Sequence, residues 1–515
     1  MISPCYLIFH YPLIRIEKQE FSLLSVSLFN KRVIKCFRMY DVIIIGAGIT
    51  GTLIARELSK YQLSVAVLEK CNDVGNGTTN ANSAIIHSGY DPVPGTLKAK
   101  FNALGNPMYD QLTKELDVPF YRLGSLTVAI LDSQLPLLQE LAERSKVNGV
   151  PVKLLSKEET LAMEPNINPE VKASLFAPTC GIIDPFNLTV RAMENAIDNG
   201  VKLFLSEEVI GINKVNDHYE VKTKKGSYEA KVVINAAGNY ADKIASMVEP
   251  IDWSITPRKG EYFVLDHYKE GLVNRTIFPL PSEKGKGILV SVTTSGNYIV
   301  GPSSEPVPDK DDVSTDAETL RNVRSQATDL VPSIPFNQVI REFSGNRPTC
   351  TRHDFIIEYS KGDKNFINVA GIESPGIASS PAIAKYVVEE LVKPLVDLKE
   401  NPKFNPNVRK VHRLYYEEKE HDYTYSNEHE NYSEVICSCE KVTLGEILDQ
   451  LNRSCPPHSV KGVKRRTRAG FGKCQGGFCQ SKIVLLLAKH YGVSPLDIPL
   501  DDEGSNILLE EVKPL

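Results

Sequence analysis

The 515-residue chain lacks any apolar run near the ~20 residues that a membrane-spanning helix needs. It also lacks an excess of either charge, because 59 Lys and Arg residues are balanced by 64 Asp and Glu residues. The resulting net charge of −5 gives no reason to expect nucleic acid as a partner. We therefore expect a cytoplasmic protein, with peripheral attachment to the inner face of a membrane as the alternative.

The first 38 residues lack the pattern of a secretion signal. Charged residues interrupt their apolar patches, and no hydrophobic stretch ends in a small-residue cleavage site. Met39 stands one residue before the first strong strand pattern, so we expect the true start there. A weak targeting extension is the alternative, and in either case residues 1–38 are excluded from the predicted fold.

Cysteine is sparse outside one short segment. Five of the ten cysteines are scattered, whereas the other five fall between Cys437 and Cys479. This distribution is not that of a small disulfide-linked secreted domain. It favours a reducing compartment in which the clustered cysteines hold a metal.

Residues 40–69 carry the strongest pattern in the chain. The apolar run Val42–Ile45 is typical of a strand buried on both faces. A G-x-G-x-x-G turn follows, and apolar residues then recur at helical spacing. A second strand, Ser64–Leu68, ends on an acidic residue. This order is typical of a dinucleotide-binding unit and predicts an α/β, Rossmann-like domain.

Each of the three glycines of this unit, and the acid that ends it, has a physical role. Gly46 allows the sharp turn, Gly48 lets the backbone approach a pyrophosphate, and Gly51 lets the helix pack on the strand. The helix N-terminus suits a diphosphate because its N–H groups are unpaired. Glu69 can accept hydrogen bonds from ribose hydroxyls and repels a 2′-phosphate, which disfavours NADP. The glycines alone would also fit an ordinary tight turn.

A polar loop, residues 71–89, follows Glu69 and ends in NSAIIHSG from Asn82 to Gly89. Together with PGTLKAK at residues 94–100, this segment resembles the FAD-dependent glycerol-3-phosphate dehydrogenases and oxidases and their relatives, the L-2-hydroxyglutarate oxidases. These families share a D-amino-acid-oxidase-like fold. The resemblance implies a Rossmann-like FAD-binding domain with an interleaved α+β substrate domain.

Later segments extend the resemblance. The buried strand and small residues of VVINAAG, which ends at Gly238, let the chain pass close to the FAD diphosphate. Val209 lies where relatives place a backbone contact to adenine, and the turn at Gly376 resembles the last FAD-contacting helix. The residues predicted to bind FAD are Gly46, Gly48, Gly51, Glu69, Thr78, Thr79, Asn82, Ser83, Val209, Gly238, Gly376, Ile377 and Ala378.

Oxidation of an alcohol by a flavin needs a base for the hydroxyl proton and an anchor for the charged end of the substrate. His87 is the predicted base, because an imidazole accepts protons near neutral pH and relatives place this loop before the flavin ring. Arg347 and Lys259 are the predicted anchors, since the matching positions contact substrate in glycerol-3-phosphate oxidases. Tyr262 and Ser374 are predicted to line the pocket. The structural alternatives are a core histidine, a surface ion pair for Lys259 and a buried pair for Arg347.

The clustered cysteines form two close pairs in sequence, C-x-C and C-x₄-C. Four thiolates suit tetrahedral zinc or a [2Fe–2S] cluster, and the spacing alone does not choose. The segment resembles the bacterioferritin-associated-ferredoxin-like [2Fe–2S] module, with zinc or an empty or disulfide-linked relic as alternatives. The resemblance implies that the cluster ligands are Cys437, Cys439, Cys474 and Cys479. The nearby Arg465, Arg466 and Arg468 either stabilise this anionic site or are solvated surface charges.

These patterns predict five segments: an extension (1–38), an FAD-dependent oxidoreductase (39–395), a linker (396–433), a small helical [2Fe–2S] module (434–490) and a tail (491–515). The predicted activity is oxidation of a small anionic alcohol, sn-glycerol 3-phosphate above all, with electrons passing through the cluster to a quinone or redox protein. A fused one-electron relay favours a dehydrogenase over an oxidase. The alternatives are a dehydrogenase or oxidase for L-2-hydroxyglutarate or another 2-hydroxy acid, and a redox-sensing or electron-transfer flavoprotein without its own small substrate.

Overall fold

The computed structural model describes residues 39–268, 270–281 and 287–510, so the predicted extension 1–38 and the last residues of the tail lie outside the described residues. In chain order, the first strands are β1 (Met39–Ile45), β2 (Val65–Leu68), β3 (Ile85–Ile86), β4 (Phe120–Tyr121), β5 (Ser125–Ala129), β6 (Lys153–Ser156), β7 (Ala173–Ala177), β8 (Gly181–Ile183), β9 (Lys202–Phe204), β10 (Val209–Val215), β11 (His218–Thr223) and β12 (Ser227–Asn235). The later strands are β13 (Ile255–Leu265), β14 (Thr276–Pro279), β15 (Leu289–Val292), β16 (Tyr298–Gly301), β17 (Glu305–Pro306), β18 (Val339–Cys350), β19 (Ile356–Tyr359), β20 (Phe366–Ala370), β21 (Val435–Cys437) and β22 (Val442–Thr443).

The helices fall between these strands and at the C-terminal end. They are α1 (Ile49–Leu58), α2 (Leu97–Gly105), α3 (Tyr109–Glu115), α4 (Leu135–Val147), α5 (Lys157–Met163), α6 (Pro185–Asp198), α7 (Ala241–Ala245), α8 (Ala317–Leu330), α9 (Gly376–Tyr386), α10 (Leu414–Glu420), α11 (Thr424–Glu428), α12 (Glu430–Ser433), α13 (Leu444–Leu451), α14 (Val460–Thr467) and α15 (Gln480–Tyr491). A π-helix, Val387–Val392, continues α9. None of the described helices combines the length and apolar character that crossing a bilayer requires.

The first large sheet has the strand order β10-β11-β12-β1-β2-β9, and β20 pairs with β12 and β19. Strand β1 runs parallel to both β2 and β12, as the predicted dinucleotide-binding unit requires. Its side chains alternate between two cores, with Val42 and Ile44 in one and Ile43 and Ile45 in the other. Burial on both faces explains why β1 reads as one continuous apolar run.

The second large sheet has the order β17-β13-β16-β15-β14-β5-β7-β6, with β18 along the other edge of β13. Strands β13 and β18 are antiparallel along their full length, from the pair Ile255–Cys350 to the pair Leu265–Val339. Helix α8 buries Leu320, Val323 and Ala327 in the core beneath this sheet. The sequence pattern marked β13 only from Tyr262 onward, because charged residues interrupt the apolar alternation before it.

The predicted linker contains the three short helices α10, α11 and α12. The ring of Tyr432 lies against α13, where a Cβ added at Gly445 would come within 2.2 Å of it. Helices α13, α14 and α15 then enclose a small core that includes Ile447, Val463 and Leu487. The linker helices α10, α11 and α12 are too short to give a recognisable periodicity in the sequence, and tertiary packing stabilises them.

Buried ion pairs join the C-terminal module to the FAD-binding half of the molecule. Arg466 donates to both carboxylate oxygens of Asp73 at 2.7 Å, and both side chains are almost fully buried. Arg453 donates to Glu194 of α6 at 2.8 Å. Because removing one partner of such a pair leaves a buried charge, these contacts fix the module against the FAD-binding half.

Candidate active site

A cavity of about 1830 Å³ is lined by residues of both large sheets. One end is bordered by the glycine turn after β1, by Glu69 and by the loop after β12. The other end is bordered by β13, β18 and the loop that carries His87. We refer to these as the cofactor end and the substrate end.

Glu69 is buried at the cofactor end, where burial raises the pKa of its carboxyl group. Its two oxygens accept hydrogen bonds from the backbone N–H groups of Ala47 (2.7 Å) and Cys71 (3.0 Å). The carboxylate therefore ties the glycine turn to the end of β2. Each carboxylate oxygen has a second lone pair, which leaves capacity for a ribose hydroxyl.

Close backbone contacts explain two of the three glycines. Gly46 has φ +103°, and a Cβ there would lie 2.6 Å from the carbonyl oxygen of Ala236. A Cβ on Gly51 would lie 2.0 Å from the carbonyl oxygen of Gly46, so this glycine brings α1 onto the turn as predicted. Ile49 at the start of α1 donates its N–H to Thr79 Oγ1 at 3.1 Å.

Eleven of the thirteen residues predicted to bind FAD line the cavity; the exceptions are Gly51 and Ala378. Ala378 is instead buried where α9 crosses α2, and a Cβ on Gly105 would lie 2.2 Å from its carbonyl oxygen. Both exceptions therefore position helices that border the cavity rather than lining it themselves.

The loop residues predicted to bind FAD also hold the loop together. Thr78 Oγ1 donates to the carbonyl oxygen of Asn346 at 2.6 Å, and Asn82 Nδ2 donates to that of Thr79 at 2.8 Å. The Ser83 and Tyr262 hydroxyls are 3.1 Å apart and hydrogen-bonded. The loop is thereby fixed against both β13 and β18.

The chemistry of the cavity fits a large polar ligand such as FAD. Five buried oxygen atoms on residues lining the cavity have no hydrogen-bond partner among the described residues: Asn72 Oδ1, Asn239 Oδ1, Ser304 Oγ, Ser344 Oγ and Asn346 Oδ1. Helix α9 starts at the cavity after Pro375 without a side-chain cap, so its first N–H groups are available to an acceptor. A buried polar group without a partner is costly, and a bound dinucleotide would satisfy these groups.

His87 is half-buried at the substrate end and borders the cavity. Its ring centroid lies 5.7 Å from that of Phe278 on β14. Its backbone carbonyl accepts hydrogen bonds from Asn102 (2.7 Å) and Asn106 (3.0 Å). These two amides fix the backbone, so the position of the imidazole is set by rigid neighbours.

Arg258 and Arg347 are directly opposite each other on β13 and β18, and both border the cavity. The Arg347 guanidinium donates to the carbonyl oxygen of Ser303 at 2.5 Å, and Gly260 leaves it room. Burial lowers the pKa of Arg347, and the charge of Arg258 lowers it further. The pair therefore places two positive charges at the substrate end, although like charges directly opposite on neighbouring strands destabilise a sheet.

Lys259, which was predicted to be an anchor, is not among the residues that border the cavity. Its ammonium lies 2.9 Å from Asp312 Oδ2 and 3.3 Å from Ser314 Oγ. Side chains alternate along a strand, so Lys259 and Tyr262, three positions apart, must lie on opposite faces of β13. Lys259 therefore holds the loop around Asp312, whereas its neighbour Arg258 borders the cavity.

Tyr262 and Ser374 border the cavity, where they were predicted to be. The Tyr262 ring is stacked on that of Phe343 with centroids 4.7 Å apart. Burial raises the pKa of the Tyr262 hydroxyl, which is therefore protonated at neutral pH. Ser374 lies just before α9, at the start of the turn that carries Gly376 and Ile377.

The four cysteines predicted to be cluster ligands lie together as two pairs. The sulfurs of Cys439 and Cys474 are 3.6 Å apart, and those of Cys437 and Cys479 are also in contact. Two sulfurs bound to one tetrahedral metal at ~2.3 Å are about 3.8 Å apart, so each pair fits one metal. Two such pairs provide the four thiolates that a two-iron cluster needs, two for each iron.

Comparison with known families agrees with this geometry. The profile of the FAD dependent oxidoreductase family matches residues 41–390, and that of the BFD-like [2Fe-2S] binding domain matches residues 435–489. The chain belongs to the FAD-dependent oxidoreductases. This oxidoreductase therefore has FAD as its cofactor and carries a [2Fe–2S]-binding domain at its C-terminal end.

Individual relatives share most of their length with the oxidoreductase. A glycerol 3-phosphate dehydrogenase from Caloramator mitchellensis is 46% identical over 476 residues, which cover 92% of this chain and 99% of the relative. A glycerol 3-phosphate oxidase from Mycoplasma genitalium is 36% identical over 377 residues, covering 71% and 97%. The solved structure of dithionite-reduced L-alpha-glycerophosphate oxidase from Mycoplasma pneumoniae with FAD bound is 33% identical, with a TM-score of 0.69 and coverage of 72% and 98%.

Arg258 and Phe278 border the cavity of the oxidoreductase but were not among the predicted site residues. Arg258 could have been found, because it lies four positions before Tyr262 and so shares its strand face. Phe278 carries no such signal, since only the pairing of β14 with β5 and β15 brings it beside His87.

Proposed function

We propose that this oxidoreductase converts sn-glycerol 3-phosphate to dihydroxyacetone phosphate and delivers the electrons to its C-terminal [2Fe–2S] domain. The observation that carries the proposal is the Arg258–Arg347 pair, which opens into the same cavity as His87. Two guanidinium groups side by side suit a phosphate dianion, because each presents a planar fork of N–H donors. The names of the relatives above support this choice of substrate.

The chain's own residues bind and orient both molecules in this proposal. The glycine turn, Glu69 and the start of α9 hold the cofactor, and the two arginines hold the phosphate of the substrate. Bound FAD supplies the hydride acceptor and a bound [2Fe–2S] cluster supplies a one-electron carrier. His87 accepts the proton of the hydroxyl that is oxidised, which is the task of a general base.

Tyr262 and Phe343 close the substrate end on the side of β13 and β18. Their stacked rings and the Ser83–Tyr262 hydrogen bond form a rigid wall beside the arginines. A fixed wall holds the substrate carbon in one orientation, which lowers the entropic part of the barrier. Ser374 borders the same cavity from the loop that precedes α9.

Residues 434–490 form the relay in this proposal. The four paired cysteines hold the cluster, and the final acceptor is a quinone or a redox protein. Such an acceptor would allow the protein to work in the cytoplasm or at the inner face of a membrane. A one-electron relay supports the dehydrogenase over an oxidase, as the sequence predicted.

The deciding experiment is anaerobic reduction of the purified protein. Glycerol 3-phosphate is expected to bleach the flavin absorption within one turnover, while equal concentrations of L-2-hydroxyglutarate leave it unchanged. Bleaching by L-2-hydroxyglutarate alone would assign the arginines to a carboxylate substrate. If neither compound bleached the flavin, the protein would be a redox-sensing or electron-transfer flavoprotein.

A further inference from the structure

All three arginines near the cysteines are paired with acids, and Arg468 Nε lies 2.8 Å from Glu440 Oε2. Arg466 is held by both oxygens of Asp73, as described above. Arg465 is paired with Asp501 and also contacts Asn76. All three charges are compensated locally and add little field at the cysteines, and Arg465 and Arg466 also join the module to the FAD-binding half.

Lys464, between the cavity and the cysteines, is in a different position. Its ammonium lies over the ring of Phe471, 4.5 Å from the centroid, and the residue borders the flavin cavity. Its Cδ is 3.9 Å from the position of a Cβ on Gly470. The backbone N–H of Gly470 donates to the thiol of Cys437, so Lys464 packs directly behind the cysteine site.

Arg341 reaches the same site from β18. Its guanidinium donates to Gln475 Oε1 at 3.1 Å, and Gln475 follows Cys474 in the chain. Within the residues that the structure describes, neither Arg341 nor Lys464 makes an ion pair with an acid. Burial, and then the charges of Arg341, Lys461 and Arg468, lower the pKa of Lys464 to about 7, whereas the thiol of Cys479 opposes this shift, so a nearby anion is needed to hold the ammonium fully charged at neutral pH.

Uncompensated cations in a half-buried site are costly unless an anion lies nearby. The anion that the surrounding residues can provide is the cluster itself. Its two irons and two sulfides together carry a net positive charge, and the negative charge of the four thiolates outweighs it. Adding an electron makes this group more negative by one charge. A fixed cation nearby therefore stabilises the reduced form more than the oxidised form.

We propose that Lys464, together with Arg341, raises the reduction potential of the [2Fe–2S] cluster and so favours electron transfer from the flavin cavity to the cysteines. Oxidation of one alcohol to a ketone releases two electrons and two protons. The cluster accepts one electron at a time, and each must pass to the external acceptor before the next arrives. Lys464 acts through the cluster and is a positioning charge, not a catalytic residue.

The test is a spectroelectrochemical titration of the purified holoprotein under nitrogen, with the visible absorption of the cluster as readout. In Lys464→Gln, which keeps a polar side chain but loses the charge, we expect the cluster to be about tenfold harder to reduce. This corresponds to a fall of about 59 mV for a one-electron couple. Lys464→Arg, which keeps the charge, is expected to restore most of the native potential.

Lys461→Gln is the matched control. Lys461 lies about one helical turn from Lys464, but its ammonium is 3.0 Å from Asp501 Oδ2 and is therefore paired with an acid. Its removal is expected to change the reduced fraction less than twofold. An equal shift in Lys461→Gln, or an unchanged potential in Lys464→Gln with the cluster intact, would overturn the proposal. A larger shift in the reduction potential of the flavin than in that of the cluster would also overturn it, since the charge of Lys464 would then act mainly on the flavin.

A second variant covers the case in which Lys464→Gln fails to retain iron. Arg341→Gln lies on a different element and is expected to lower the potential in the same direction, by about threefold to tenfold in the reduction equilibrium. No shift in this variant would also contradict the inference. An absence of iron from the native protein would instead contradict the relay of the proposed function.

Discussion

The two ends of the cavity are built from different parts of the chain. At the cofactor end, the glycine turn, the start of α1 and the acid after β2 come from one stretch of 30 residues, Tyr40–Glu69 (69 − 40 + 1). At the substrate end, the paired Arg258 and Arg347 are 89 positions apart (347 − 258). The first end presents mainly backbone N–H groups and one carboxylate, and the second presents cationic side chains.

This difference shows which parts of a site can be read from neighbouring residues. A backbone site needs only glycines and a helix start at fixed spacing, so local sequence specifies it. A side-chain site on a sheet depends on strand register and on the face that each residue occupies. Four variants, from the largest expected effect to the smallest, test whether the two ends are as independent as this comparison implies.

Replacement of Arg347 by alanine is expected to give the largest loss, because it removes a charged donor to the substrate and leaves Arg258 without its neighbour. We expect kcat/KM for glycerol 3-phosphate to fall about a thousandfold, or about 4 kcal/mol. The bound FAD per protein should stay at the native value. Loss of FAD in parallel with activity would show that the two ends are not independent.

Replacement of His87 by glutamine sharpens the comparison within the substrate end. Loss of a general base is expected to lower kcat about a hundredfold while KM changes little. Anaerobic stopped-flow measurement of flavin bleaching would separate this step from later electron transfer. A rise in KM without a fall in kcat would assign His87 to substrate binding instead.

Replacement of Gly46 by alanine attacks the cofactor end. The added Cβ would lie 2.6 Å from the carbonyl oxygen of Ala236, at a φ of +103°. We expect FAD affinity to fall at least about tenfold, because the added Cβ would push the glycine turn and the Ala236 carbonyl apart at the cofactor end. Gly149→Ala is the control, because its φ of +69° is also positive but no atom lies within 4 Å of the added Cβ. Equal FAD loss in both variants would contradict the close-contact explanation.

Replacement of Lys259 by methionine is expected to have the smallest effect on catalysis, less than about threefold in KM. The lost contact with Asp312 should instead lower the thermal midpoint slightly, because Lys259 is buried but its partner Asp312 is about a third exposed, and such a pair contributes about 1 kcal/mol. Arg258→Met is the matched comparison on the next position of β13, and we expect it to raise KM at least about tenfold. If Lys259→Met raised KM as much as Arg258→Met, the assigned strand faces would be wrong.

Much of the fold followed from sequence because its signals are local. The strand β1, the glycine turn, α1 and β2 lie where they were predicted. Residues 41–390 and residues 435–489 each match the family that the sequence resembled. Gly51 also shows the close helix contact expected of it. The short helices of the predicted linker were missed, since they depend on packing against α13.

The sequence by itself determined the dinucleotide-binding unit, the cysteine pairs and the loop of His87, because each requires particular residue types at short, fixed spacing. Only the tertiary structure decided that Arg258 rather than Lys259 shares the cavity with Arg347, and that Lys464 rather than Arg465 or Arg466 approaches the cysteines without an acidic partner. The physical reason is that the effect of a charge depends on its neighbours in space. Strand pairing and domain docking choose those neighbours from distant parts of the chain.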